Sequence, residues 1–301
     1  MTSVRQRLLV VAAIPPELRA ALGAHYDLVE HAAGTSAKGF QVAVTTSMAG
    51  ADAALMAALP DLGLIACNGT GLDRIDLPEA DRRGILVRHT PDEVVEDTAD
   101  AAIGLMYAIS RRIAEADRFV RAGRWATERM TPSRRVSGKA AGIVGLGRIG
   151  AAIACRAAGL GMAVSYTGPR SKPGVPYPFV ASIADLADQV DVLILSCPGG
   201  DATWHLVDAA VLRRLGPDGI LVNVSRGTVV DEDALIAALA DGIIAGAGLD
   251  VFAREPGLDP RFLTLENAVL QPHYAAVTRE TRNAMAQRLL GEVAVFLGDP
   301  P

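Results

Sequence analysis

The sequence predicts an α/β protein of two doubly wound parallel-sheet domains with a cleft between them, and three observations carry that prediction. Short apolar runs alternate with helical patterns through roughly the first ninety residues. A long helical stretch, Val94 to Val120, interrupts the alternation, and a second alternating series runs from Ala140 to Leu270. Strands separated by helices pair side by side only by crossing over the sheet, which gives parallel sheets wrapped by helices.

Taken in order, apolar runs at Leu8–Ala13, Gln41–Thr45, Leu62–Cys67 and Ile85–Arg88 read as strands. Pro16–Ala24, opened by Ile14-Pro-Pro-Glu17, and Ala51–Leu59 read as helices, and Asp76 with Pro78 starts another. Within Val94–Val120, Ile103, Tyr107, Ile109, Ile113 and Phe119 supply an apolar face, so the stretch reads as one helix at the seam between domains. After a polar loop at Glu128–Ser137, strands are expected at Ala140–Val144, Met162–Tyr166, Val190–Ser196, Ile220–Val224, Ala245–Leu249 and Val269–Leu270, enough for a complete dinucleotide-binding domain. A last helix, Thr278–Leu297, returns to the first domain. The division expected is therefore 1–97 with 275–301 for a substrate-binding domain, and 98–274 for a dinucleotide-binding domain.

The chain has 301 residues, half of them apolar, and 30 glycines, which suits two ordinary domains without disordered bias. A formal net charge of −5 argues against nucleic acid or an anionic membrane as partner and favours small molecules. Cys67, Cys155 and Cys197 have neither metal-ligand nor disulfide spacing, so no metal is expected and the compartment reads as reducing. The N-terminal apolar run is short for a secretory leader, and no apolar stretch reaches the ~20 residues of a membrane span, so a cytoplasmic location is expected.

Gly142-Ile-Val-Gly145-Leu-Gly147-Arg148-Ile149-Gly150 places Gly-x-Gly-x-x-Gly after a strand and at the head of a helix. There the glycines permit a tight turn, close approach of a pyrophosphate and close helix packing; the plain alternative is a helix–strand packing turn. An acidic residue for the ribose hydroxyls of NAD is expected about twenty residues on, yet no Asp or Glu occurs between Glu128 and Asp185. Eight basic residues fall within Arg129–Lys172, and Arg170, Ser171 and Lys172 follow the strand directly. A 2′-phosphate would be attracted there, so NADP(H) is the expected cofactor, with NAD(H) possible; a solvated basic loop tolerating either is the alternative.

Arg226, Glu255 and His273 each lie just beyond an apolar run, Gly219–Val224, Ile244–Leu249 and Ala268–Leu270. The carboxyl ends of parallel strands converge, so a guanidinium, a carboxylate and an imidazole can meet there. Singly, each has a bland explanation as a helix-end cation, a surface carboxylate or a loop histidine. Together they are what reduction of a 2-keto acid needs: a fork for the carboxylate, an acid for the carbonyl oxygen, and a partner for the acid.

These residues carry a resemblance. Gly145-Leu-Gly147-Arg-Ile-Gly150, Asn223-Val-Ser-Arg226-Gly-Thr-Val-Val-Asp231, Gly248-Leu-Asp250-Val-Phe-Ala-Arg-Glu255-Pro256 and Gln271-Pro-His273 resemble the motifs of the D-isomer-specific 2-hydroxyacid dehydrogenases. Val175-Pro-Tyr-Pro178 and Ser196-Cys-Pro-Gly-Gly200 look most like the glyoxylate/hydroxypyruvate and hydroxyphenylpyruvate reductase branch. The resemblance implies a flavodoxin-like substrate domain and a Rossmann cofactor domain. It implies Arg226 on the substrate, His273 as proton donor and Glu255 as its partner. Further cofactor contacts are implied at Thr98, Cys197, Pro198 and Asp250, although a hydroxyl such as that of Thr98 early in a helix also serves as a cap.

In Asn68-Gly69-Thr70-Gly71 after a strand, backbone N–H groups can face an anion, and the resemblance assigns the substrate carboxylate to this loop. Met48 is a candidate wall for the substrate side chain. A homodimer along Val94–Val120 is likewise implied by resemblance alone. One departure stands out: Tyr274-Ala275-Ala276 follows His273 where the family has an Ile-Gly stretch, and Ala275 is expected to shift the loop, because alanine enters positive φ only at a cost. The alternatives are hydroxyphenylpyruvate reduction, another D-2-hydroxyacid dehydrogenase activity and, outside enzymes, a nucleotide-sensing corepressor.

Overall fold

The structure is a computed structural model and describes residues 5–32 and 38–299; the first four residues of the N-terminal run weighed as a leader lie outside these. The chain forms two compact units, residues 1–94 with 277–301, and residues 95–276. The expected breaks after 97 and 274 fall three and two residues from those of the structure.

In the first unit, β1 (Arg7–Val10), β2 (Asp27–Glu30), β3 (Val42–Thr46), β4 (Leu64–Asn68) and β5 (Leu86–Arg88) make one parallel sheet in the order β2-β1-β3-β4-β5. Side chains alternate across each strand. Leu8, Val10, Val42, Val44, Leu64 and Ala66 therefore face one layer, where α1 (Pro16–Gly23) packs Leu18 and Leu22. Leu9, Ala43, Ile65 and Cys67 face the other, with Met56 of α2 (Ala53–Ala58) and Ala80 of α3 (Leu77–Arg82). Asp76 caps α3 as its position before Pro78 suggests, accepting the Glu79 N–H at 3.0 Å. Near the end of the chain, α10 (Arg279–Leu297) returns to this unit and buries Ala286, Leu289 and Val293 against the first layer.

The second unit opens with α4 (Val95–Ser110) and α5 (Ile113–Arg121), not with one long helix. The break is at Arg112, whose φ of +52° lies in the left-handed region, and a fork of 2.5 and 2.7 Å from its guanidinium to Glu115 ties it to the first turn of α5. Then follow β6 (Ala140–Val144), α6 (Arg148–Gly159), β7 (Ala163–Thr167), α7 (Ile183–Ala187), β8 (Val192–Leu195), α8 (Ala209–Leu215), β9 (Ile220–Asn223), α9 (Glu232–Ala240), β10 (Gly246–Leu249) and β11 (Ala268–Leu270).

All six strands of this sheet are parallel, in the order β11-β10-β9-β8-β6-β7. A single parallel bridge pairs Tyr166 of β7 with Phe179, held by Tyr166 N–H to Pro178 O at 2.9 Å and Val180 N–H to Tyr166 O at 2.8 Å. Counting that bridge as a vestigial third strand gives the order 3-2-1-4-5-6-7, the 3-2-1-4-5-6 order of a dinucleotide-binding sheet extended by β11 at its edge. Leu193, Leu195, Leu221 and Ala247 face one layer, and Ile143, Ile194, Val222 and α4 the other. Among the described residues no helix is long and apolar enough to cross a membrane, and no cluster of three potential metal ligands occurs.

Candidate active site

Asn223, Leu249 and Leu270, the last residues of β9, β10 and β11, lie in register across the sheet, so the loops that follow begin at one level. These loops carry Arg226, Glu255 and His273. Asn223 is fully buried and organises the first of them: its amide donates to the Arg226 carbonyl at 3.0 Å, and its carbonyl accepts from the Ser225 N–H at 3.0 Å and hydroxyl at 2.8 Å. The Arg226 guanidinium donates to the Ser225 carbonyl at 2.8 Å. Its stem lies where a Cβ at Gly199 would stand, 2.8 Å from Cγ.

Glu255 and His273 meet. His273 Nδ1 and Glu255 Oε2 are 2.7 Å apart, with the glutamate side chain 12% exposed and the histidine 39%. Glu255 Oε1 accepts the Phe252 N–H at 2.8 Å. Burial pushes the Glu255 carboxyl up, but the His273 bond, the Phe252 N–H and the nearby charges of His273 and Arg226 outweigh it and hold the group below the usual glutamate range. His273 by a direct contact, and Arg226 by its charge, thus act on the Glu255 carboxylate. With Nδ1 engaged, the other ring nitrogen of His273 is left to face a reactant.

His273 itself sits at φ +52°, a conformation that costs about 1–3 kcal/mol and persists only where its surroundings impose it. Asp250 imposes it. The Asp250 carbonyl accepts the His273 N–H at 2.8 Å, and its carboxylate accepts the Tyr274 N–H at 2.6 Å and the Ala275 N–H at 3.1 Å from both oxygens. Burial raises the Asp250 carboxyl against these bonds. The resemblance gives Asp250 to the cofactor; within the chain its contacts clamp the histidine loop. The same contacts bear on the expectation for Ala275, which is buried and is not among the residues with positive φ; the left-handed step falls on His273, so Ala275 carries no such backbone cost.

The glycine-rich turn lies where strand order reverses, between β6 and its neighbours β7 and β8. Gly145 has φ +90°, and a Cβ there would stand 2.7 Å from the Cys197 Cα in the loop after β8. At Gly150 a Cβ would stand 2.1 Å from the Gly145 carbonyl oxygen, which the Ser196 hydroxyl also holds at 2.8 Å. Gly147 caps α6 without a side chain, so among the described residues no side-chain cap takes the Ile149 and Gly150 amides of the first turn, which suits an anion. A dinucleotide pyrophosphate fits this donor set. Burial drives the Cys197 thiol up to about 11, so it is a neutral wall, and the adjoining Pro198 is exposed. Thr98 is buried within α4 and is not its cap.

Beyond β7 no carboxylate appears before α7. The Tyr166 hydroxyl accepts the Lys172 N–H at 2.7 Å, and the Lys172 ammonium reaches back to the Leu146 carbonyl inside the glycine-rich turn. Arg170 and Ser171 are exposed.

In the first unit, Gly69 has φ +135°, and a Cβ there would stand 2.1 Å from Ser47 Oγ. Its N–H is not available to an anion: it donates to the hydroxyl of buried Thr90 at 3.0 Å. The Thr70 and Gly71 amides donate to no protein atom among the described residues. His89, at 3.0 Å from the Thr70 carbonyl, steadies the loop. Met48 is 38% exposed and its carbonyl accepts from Arg74 at 2.6 Å. Thr90, Asn223 and Ser196 are supporting residues that sequence reasoning missed; only Asn223 and Ser196 left a trace, inside motifs that drew attention to their neighbours.

Comparison with known proteins agrees with this geometry. The family model "D-isomer specific 2-hydroxyacid dehydrogenase, NAD binding domain" matches residues 103–275. Glyoxylate/hydroxypyruvate reductase A of Arabidopsis thaliana is 44% identical over 86% of this chain and 83% of its own. Hydroxyphenylpyruvate reductase of Plectranthus scutellarioides is 43% identical over 88% and 85%. Among solved structures, an NADPH-dependent glyoxylate/hydroxypyruvate reductase of Sinorhizobium meliloti in complex with NADP and malonate superimposes with a TM-score of 0.91 at 36% identity, covering 97% of this chain and 94% of that one. With the family model spanning more than half of its length and relatives above two-fifths identity, this chain belongs to the D-isomer-specific 2-hydroxyacid dehydrogenases.

Proposed function

We propose that this protein reduces a small 2-keto acid of the glyoxylate or hydroxypyruvate type to the D-2-hydroxy acid, preferring NADP(H) and accepting NAD(H) less well. The observation that carries the reading is the 2.7 Å His273–Glu255 pair at the ends of the strands that also lead into Arg226. The nicotinamide, when bound, supplies hydride to the carbonyl carbon. His273 gives a proton to the carbonyl oxygen, so one hydride and one proton turn C=O into CH–OH. Glu255, held ionised in the neutral range, fixes the imidazole ring through Nδ1. Arg226 binds the carboxylate and keto oxygen of the substrate and offsets the charge that develops on that oxygen. Within the first unit, taken by itself, the Thr70 and Gly71 N–H groups are the proposed donors to a carboxylate, with Met48 the proposed neighbour of a substrate side chain.

Arg170 and Ser171 are the proposed ligands of a 2′-phosphate, supported by the absence of any acidic residue between Glu128 and Asp185. A cytoplasmic homodimer with α4 and α5 at its interface completes the reading. Its test is the loss of NADPH absorbance over a panel of glyoxylate, hydroxypyruvate, phenylpyruvate and 4-hydroxyphenylpyruvate. Turnover of the first two fastest is expected. No turnover of any of them, with NADPH bound, would refute it and return the nucleotide-sensing alternative; faster turnover of the aryl acids would move the substrate class.

A further inference from the structure

Glu232 has no place in the scheme above, yet it sits against the segment that carries Glu255. Asp231 already caps α9, accepting the Ala234 N–H at 3.1 Å, so the helix does not need the next carboxylate for that purpose. Glu232 instead turns to the neighbouring loop, where its Oε1 accepts the Ala253 N–H at 2.7 Å. The adjacent Phe252 N–H donates to Glu255 at 2.8 Å. Two consecutive amides are thus held by two carboxylates, one from within the Glu255 loop and one from the segment that follows Arg226. At the same place Gly227 lies so close to this loop that a Cβ would stand 1.8 Å from the Phe252 carbonyl carbon.

The position is electrostatically unfavourable. Burial raises the Glu232 carboxyl, and Asp259, Asp233 and Glu255 add to the rise, against the Ala253 bond. Arg261 answers only Asp233 and Asp259, at the outer side of the cluster. A carboxylate kept half-buried among like charges costs stability, offset only in part by its bond to the amide in the next loop.

We propose that Glu232 is a positioning residue whose bond to Ala253 sets the spacing between Arg226 and the Glu255–His273 pair; the catalytic consequence rests on the function proposed above. The test compares Glu232→Ala with Glu232→Gln, which keeps an acceptor oxygen without the charge. In the alanine protein kcat falls about tenfold, the size of one hydrogen bond, and KM for the keto acid rises while KM for NADPH stays. The glutamine protein recovers kcat to within about twofold. At one fixed pH the His273 ring resonances move in the alanine protein and not in the glutamine protein. Parent-like kinetics and resonances in the alanine protein, or a glutamine protein as impaired as it, would overturn the inference. Moved resonances in a protein whose parent turns over no keto acid would sink the functional reading and leave the positioning role standing.

Discussion

The loops that carry Glu255 and His273 and the basic segment after β7 belong to the same unit and are built in opposite ways. In the first, backbone amides of Phe252, Tyr274 and Ala275 are fixed by buried carboxylates, and a strained histidine backbone is held in place by Asp250. In the second, Arg170 and Ser171 are exposed and the segment is tied at one end only, through Lys172 to Tyr166 and Leu146. The difference follows from what each region must do. Proton transfer demands heavy atoms within about 3 Å of each other in a fixed direction, so geometry is imposed by many bonds. Attraction of a phosphate works over a longer range and tolerates a flexible arginine. Changes in the first region should therefore strike turnover, and changes in the second should move only the choice of cofactor.

The largest expected effect is that of His273→Asn. Loss of the positioned acid lowers kcat by roughly 10²–10⁴-fold with NADPH affinity intact, measured by steady-state turnover beside a cofactor titration. Unchanged turnover would remove His273 from the mechanism and erase the contrast between the regions.

Asp250→Ala comes next. It leaves the Tyr274 and Ala275 amides without their acceptor, at about 1–3 kcal/mol for a buried unsatisfied donor, so the melting temperature and kcat fall together. A protein that melts lower but keeps parent kcat would show that the histidine loop does not need its clamp.

A smaller and more specific effect is expected from pH. Because the folded-state Glu255 carboxyl lies below the ordinary glutamate range, its pairing stabilises the protein above that range and is lost as pH falls through the lowered value. The parent should thus lose this stability only in acid, and Glu255→Gln should lack that acid-dependent step. Superimposable pH profiles would break the assignment of Glu255.

Much of this architecture was legible because buried parallel strands announce themselves as short apolar runs, and because Arg226, Glu255 and His273 each follow one. What was not legible has physical causes. β2 is an edge strand of four residues, Asp27-Leu-Val-Glu30, exposed at both ends, too short and too polar to stand out. The third strand of the second sheet is reduced to a bridge at Phe179, which leaves no run to detect. The break at Arg112 is a single backbone rotation inside continuous helical periodicity, invisible to a pattern read from side chains. The Ala275 expectation assumed that the positive φ falls on the residue where relatives have glycine, whereas the structure places it on His273. The Gly69 amide was counted as an anion donor because sequence spacing does not show that Thr90, twenty-one residues away, already accepts it.

The division of labour between the two regions is tested most directly by Arg170→Ala, with kcat and kcat/KM measured for NADPH and NADH in parallel. The account predicts that kcat/KM for NADPH falls about 10–150-fold, the loss of one charge-assisted hydrogen bond, while that for NADH and kcat at saturating cofactor stay at parent values. An equal fall with both cofactors, or a kcat that drops at saturation, would contradict it by placing the basic segment in the chemistry.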